Sequence, residues 1–164
     1  MTPGDAGDAL AGLATGVVLV TVRDGRDDIG ATVSAFCPVS QDPPLVLVSL
    51  MSGSYLAEVL GRQDAFAVTI LGEGQRALAG RFAAAGRPSA RRLLDEVPHL
   101  RGSRSGALMA KAGLAAIECE ARQRVTAGDH LLVIAEAVGV PYADRGAAPL
   151  IRFRGRYPAL KPVI

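Results

Sequence analysis

Cysteine is scarce in this chain: Cys37 and Cys119 are the only two, they lie far apart, and neither belongs to a CxxC pair. That removes the usual zinc and dithiol redox motifs and fits a reducing, cytosolic setting in which the two thiols stay unpaired. Long apolar runs are missing as well. No segment approaches the ~20 residues of a membrane span, and Met1-Thr2-Pro3-Gly4-Asp5 has no basic region leading into an apolar stretch, so a soluble, cytoplasmic protein is expected. An excess of one charge is lacking: 18 basic residues face 16 acidic ones, a net charge of +2. No broad field is therefore available to hold nucleic acid or a membrane surface. GxGxxG after a strand, GxxxxGK[ST], HExxH and GxSxG are all absent, which leaves Rossmann, P-loop, zinc and serine-hydrolase readings without support.

What is present is an ordinary globular composition, 49% hydrophobic and 21% charged over 164 residues, enough for one domain spanning 1–164 with a real core. Ala6, Leu10, Leu13 and Ala14 recur at helical spacing in residues 5–15, predicting a short helix packed on the next part of the chain. Val17–Val22 reads as a strand, and the turn Asp24-Gly25-Arg26-Asp27-Asp28 joins it to Ile29–Ser34 in a hairpin. Asp42-Pro43-Pro44 breaks the chain, so the next strand, Leu45–Leu50, is expected to begin after Pro44. A helix over Ser54–Leu60 with Ser52 or Ser54 as cap, a strand over Phe66–Leu71 and a helix over Glu73–Ala84 come next. Gly86–Ser105 reads as an irregular, Arg-rich loop whose charge faces water. Leu114–Val125 and His130–Val140 form a second, long hairpin around Ala127-Gly128-Asp129, and Leu150–Phe153 is a last short strand. About six strands with short helices between them predict a mainly β fold, a closed or partly closed antiparallel barrel.

Three groups of residues invite a chemical reading. Thr32 and Ser34, between the small residues Ala31 and Ala35, would let a flat ligand approach the main chain, although polar residues of an edge strand facing water give the same pattern. Ser49, Ser52 and Ser54 lead into a helix start, where hydroxyls and free amides suit a phosphate, or where one serine merely caps the helix. Arg81, beside Phe82 on the later helix, is placed either to pair with that phosphate or to sit in water at a helix end. Gly128-Asp129-His130 delivers one of the two histidines to the start of a strand, a position equally suited to plain surface.

Taken in order, Ala14–Thr21, the run from Thr32-Val33-Ser34-Ala35-Phe36-Cys37 to Asp42-Pro43-Pro44-Leu45-Val46-Leu47-Val48-Ser49, Phe66-Ala67-Val68, Gly128-Asp129-His130 and Arg154-Gly155-Arg156-Tyr157 resemble the flavin reductase-like family, the small components of two-component flavin-dependent monooxygenases. The resemblance implies an antiparallel Greek-key split β-barrel with short peripheral helices, paired as a homodimer. It implies NADH or NADPH as hydride donor, FMN or FAD as acceptor, and reduced flavin that diffuses to a separate monooxygenase, with no part for nucleic acid or membrane. By position it assigns Thr32, Val33, Ser34 and Ala35 to the isoalloxazine, with Cys37 close by. Ser49, Ser52 and Ser54 fall to the ribityl phosphate, with Arg81 and Phe82 as a further contact. His130 falls to the nicotinamide and to catalysis, with Arg154 and Tyr157 in a tail approaching that site. Pro38 stands where relatives often carry Ser, removing a hydroxyl and an amide donor from the flavin edge. Ala135 replaces a frequent Gly and is expected to add bulk at the nicotinamide site. These departures keep open a flavin-binding protein without turnover; an enzyme using bound flavin for another biosynthetic oxidation is a further alternative. Arg152, Arg154 and Arg156 are placed either to meet a 2′-phosphate or to form a solvated face.

Overall fold

The computed structural model describes residues 2–161; Met1 and residues 162–164, at the ends of the expected domain, lie outside it. In chain order the elements are helix α1 (Pro3–Leu10), strands β1 (Thr15–Gly16), β2 (Val18–Asp24), β3 (Asp27–Val33), β4 (Phe36–Gln41) and β5 (Pro44–Met51), helix α2 (Tyr55–Arg62), strand β6 (Ala65–Ile70), a 3-10 turn over Glu73–Gln75 running into α3 (Arg76–Ala83), and α4 (Ala90–Leu93). Strands β7 (His99–Arg101), β8 (Leu108–Ala110), β9 (Ala115–Ala127), β10 (His130–Ala143) and β11 (Ile151–Arg152) complete the described chain.

Seven strands form one antiparallel sheet in the order β3-β2-β6-β9-β10-β5-β4. Its two edge strands, β3 and β4, are consecutive in the chain, joined only by Ser34 and Ala35. A flat sheet of this size would separate its edges by about 29 Å. Two linking residues reach about 11 Å. The sheet must therefore curl until its edges nearly meet, and β3 and β4 are not hydrogen-bonded neighbours, so the barrel is split along that seam.

Side-chain alternation fills the barrel. Val18, Val20 and Val22 of β2, Val46 and Val48 of β5, Phe66 and Val68 of β6 and Val133 of β10 share one core, and α2 adds Leu56, Val59 and Leu60 at helical spacing. A second core lies outside the barrel, where Val17 and Leu19 meet Leu78, Ala79 and Phe82 of α3 together with Leu93 and Leu94. Burial on both faces explains why Val17–Val20 is a continuous apolar run rather than an alternating one, and why the Thr21 hydroxyl that follows it is buried and donates to the Leu108 carbonyl.

Several expectations are corrected. Helix α1 ends at Leu10, and Leu10 and Leu13 are 70% and 68% exposed, so this two-turn helix does not bury its apolar stripe. The strand expected over Ile29–Ser34 stops at Val33; Ser34 and Ala35 cross the seam, and a further strand, β4, begins at Phe36. Strand β5 starts at Pro44 itself, since a two-residue turn joins Gln41 to it. Residues 86–105 carry a helix and a strand, and their charge is structural. Arg91 and Arg101 both bind the buried carboxylate of Asp28 at 2.8 Å. The amides of Arg104 and Ser105 donate to buried Glu118 Oε1 at 3.0 and 2.8 Å. Water facing those carboxylates was replaced by donors from this loop, as burial of a charge requires.

Candidate active site

The seam opens into a cavity of about 440 Å³. Ala31, Thr32 and Val33 at the end of β3, with the linking Ser34 and Ala35, make one wall; Ser49, Leu50 and Met51 at the end of β5 make another. His130, the first residue of β10, is drawn to its lip because β10 pairs His130 with Met51. Ser54, Phe82, Ala83, Arg87 and Arg152 close the remaining sides. The connection of β9 to β10 turns on two residues, and Gly128 takes φ +59°, which explains a glycine directly before the Asp129-His130 pair.

Helix α3 is pinned to the outer face of β3 at three points. Thr32 Oγ1 donates to the Ala79 carbonyl at 2.6 Å, which leaves the oxygen free to accept. The Phe82 ring lies so close to Gly30 that a Cβ there would stand 2.7 Å from Cε1. Arg87 Nε donates to the Gly30 carbonyl at 2.8 Å and Nη1 to the Ala84 carbonyl at 3.3 Å. Burial pulls the Arg87 pKa below the ordinary arginine value, and it has no carboxylate partner among the described residues. A partly desolvated cation satisfied only by carbonyls retains its charge for an anionic ligand.

The other charged groups agree in sign. Arg152 and His130 line the cavity, and none of its lining residues is acidic. His130 Nδ1 stands 2.7 Å from Asp129 Oδ1, and this hydrogen bond holds the Asp129 carboxyl below the usual carboxylate value. A carboxylate facing Nδ1 favours the tautomer protonated there, which presents Nε2 as an acceptor. Ser54 Oγ accepts from the Ala57 amide at 3.2 Å and so caps α2. The Ser34 and Ser49 hydroxyls make no side-chain hydrogen bond among the described residues. The whole is an open trough with small apolar walls, free hydroxyls and cationic ends, suited to positioning a flat anionic ligand.

Residues 10–161 match the flavin reductase like domain family. The chain belongs to that family. It is 35% identical to the NADH-dependent FMN reductase AsuE2 of Streptomyces nodosus subsp. asukaensis, over 93% of this chain and 82% of that protein. It is also 35% identical to the reductase component of 4-hydroxyphenylacetate 3-monooxygenase of Thermus thermophilus, over 92% and 91% of the two chains. Among solved structures, the NADH:FAD oxidoreductase SgcE6 of Streptomyces globisporus superposes with a TM-score of 0.90 at 28% identity, covering 100% of this chain and 98% of that one.

Of the positions that the flavin reductase resemblance singled out, Thr32, Val33, Ser34, Ala35, Ser49, Ser54, Phe82 and His130 line the cavity. Five do not. Cys37 lies on β4, exposed and paired with Leu47, because the chain has already crossed the seam. Ser52 faces a neighbouring groove beyond the turn, with its amide bound to the Asp129 carbonyl. Arg81 is exposed, since successive helical residues point about 100° apart and its neighbour Phe82 takes the buried direction. Arg154 lines a smaller adjoining cavity that also touches Ser34 and Arg152. Tyr157 packs on the outer core, with the Arg76 guanidinium 5.8 Å from its ring. Pro38 is exposed on the edge strand β4, in register with Val46 of β5, and it does not line the cavity. Ala135 is fully buried in the barrel core, away from the cavity wall. Two cationic residues of the cavity stand outside the flavin positions read from the sequence: Arg87, and Arg152, which was marked only for a 2′-phosphate or a solvated face. The available signal for Arg87 was its place just after Gly86, a turn that folds the chain back onto β3.

Proposed function

We propose that this chain binds FMN or FAD in the seam cavity, reduces it with NADH or NADPH, and releases the reduced flavin to a separate monooxygenase. Hydride passes directly from the nicotinamide to the flavin when the two rings stack, so the protein's task is alignment rather than nucleophilic attack. The carrying observation is a wide, open cavity free of carboxylates, with small residues at Ala31 and Ala35 and a desolvated Arg87 at one end. Thr32 to Ala35 supply the bed and polar edge for the isoalloxazine. Ser49, Ser54 and Arg87 hold the ribityl phosphate, and Phe82 forms the floor. His130, oriented by Asp129, offers Nε2 to the nicotinamide side, and Arg152 attracts the dinucleotide phosphates.

In this reading residues 1–164 act as one domain, as a homodimer in the cytoplasm, and no helix among the described residues is long and apolar enough to cross a membrane. A flavin-binding protein without turnover loses its motive, because neither Pro38 nor Ala135 touches the cavity. Under anaerobic conditions, catalytic amounts of protein with NADH or NADPH are expected to bleach the visible band of excess FMN or FAD. If the protein leaves the rate of nicotinamide oxidation unchanged, the reading fails.

A further inference from the structure

The cavity does not end at Arg87. Ser54 and Arg87 also line a second open groove of about 650 Å³, shared with Asp27, Gly53, Tyr55 and Pro88. Tyr55 is the only aromatic side chain among the described residues more than half exposed, at 52%. It is nevertheless held in place: its hydroxyl donates to Asp24 Oδ2 at 3.2 Å, and Asp24 is clasped by Arg62 at 2.8 and 2.7 Å and by Gln63 at 2.9 Å. A fixed aromatic face left open along a groove is a stacking platform for a base.

We propose that this groove seats the adenylate half of FAD, with Arg87 bridging the pyrophosphate and adenine lying on Tyr55. The proposal rests on the seam cavity holding the flavin with its phosphate at Ser54 and Arg87. FMN ends at that point, whereas FAD continues through the shared residues into the second groove. A planar guanidinium between the two compartments matches two adjacent phosphates. Asp27, which also lines this groove, brings a carboxylate that suits the exocyclic amine of adenine rather than a further phosphate. The structure thus assigns FAD as the preferred flavin and Tyr55 as the residue that selects it.

Titration calorimetry of the whole protein with FMN and FAD, in the absence of nicotinamide, tests this. FAD is expected to bind about 5- to 10-fold more tightly than FMN. Tyr55→Ala should remove that advantage while FMN affinity stays within about twofold, and Tyr55→Phe, which keeps the ring, should retain it. FAD binding no more tightly than FMN overturns the assignment, as does equal weakening of both flavins by Tyr55→Ala, which would make Tyr55 a brace for α2. Binding of neither flavin would overturn the seam-cavity reading itself.

Discussion

Arg81 and Arg87 are six positions apart, and their surroundings decide what each can do. Arg81 projects into water from α3, where a guanidinium is fully hydrated and gains little by pairing. Arg87 is partly desolvated, its Nε fixed on the Gly30 carbonyl and its Nη1 on that of Ala84, and it lines the cavity. Arg87→Ala is therefore expected to raise the KM for flavin about tenfold with kcat little altered, the result of losing one charge-assisted phosphate contact, while Arg81→Ala leaves both unchanged in steady-state assays. Asp28 shows the same logic inside the fold. Burial opposes its ionisation, but hydrogen bonds from Arg101 and Arg91 outweigh it and hold the carboxyl below the ordinary value. A depressed carboxylate contributes stability that is complete above the unfolded-state value near ~3.9 and disappears as pH falls through the folded-state value. Asp28→Asn should flatten the acid limb of a stability-versus-pH curve and cost about 3 kcal/mol at neutral pH in urea titrations, because both arginines remain partly in water. Cys119 is the opposite case: burial, helped by the nearby Glu118 charge, pushes its thiol up to about 12, which makes it inert beside the exposed Cys37.

At the scale of elements, the cavity depends on how closely α3 lies against β3. Thr32, Gly30 and Arg87 hold that contact, and Gly30 is there because no side chain fits beneath Phe82. Gly30→Ala should push the ring outward, costing about 1–3 kcal/mol in chemical denaturation, and should weaken flavin binding in parallel because α3 carries one side of the cavity. Element type was legible where periodicity was strong: the β2–β3 hairpin, α2 with its Ser54 cap and the β9–β10 hairpin stand near the residues predicted for them. It was not legible for residues 86–105. Arginines bound to a buried carboxylate and arginines in water have the same sequence pattern, and Asp28 and Glu118 lie 63 and 14 residues from their respective partners Arg91 and Arg104.

At the scale of the whole molecule, the seam is the organising feature, and Met51, which lines its cavity, is 60% exposed. The proposed homodimer is tested at this scale. Light scattering is expected to give a mass of twice the 16.9 kDa of one chain. A monomer at the concentrations used for catalysis would remove the partner from the proposal and leave the cavity intact. The mainly β character, the two hairpins and the run of small and hydroxyl residues from Ala31 to Ala35 were determined by the sequence by itself, because alternation, turn glycines and side-chain size act over a few residues. Which of the marked residues share a cavity was decided only by tertiary structure. Curling a seven-stranded sheet brings Ser34, Ser49 and His130 together while a two-residue crossing carries Cys37 away. Closure joins positions almost a hundred residues apart, and no local pattern carries that information; Arg87, at the rim of the same seam, became visible only when the edges met.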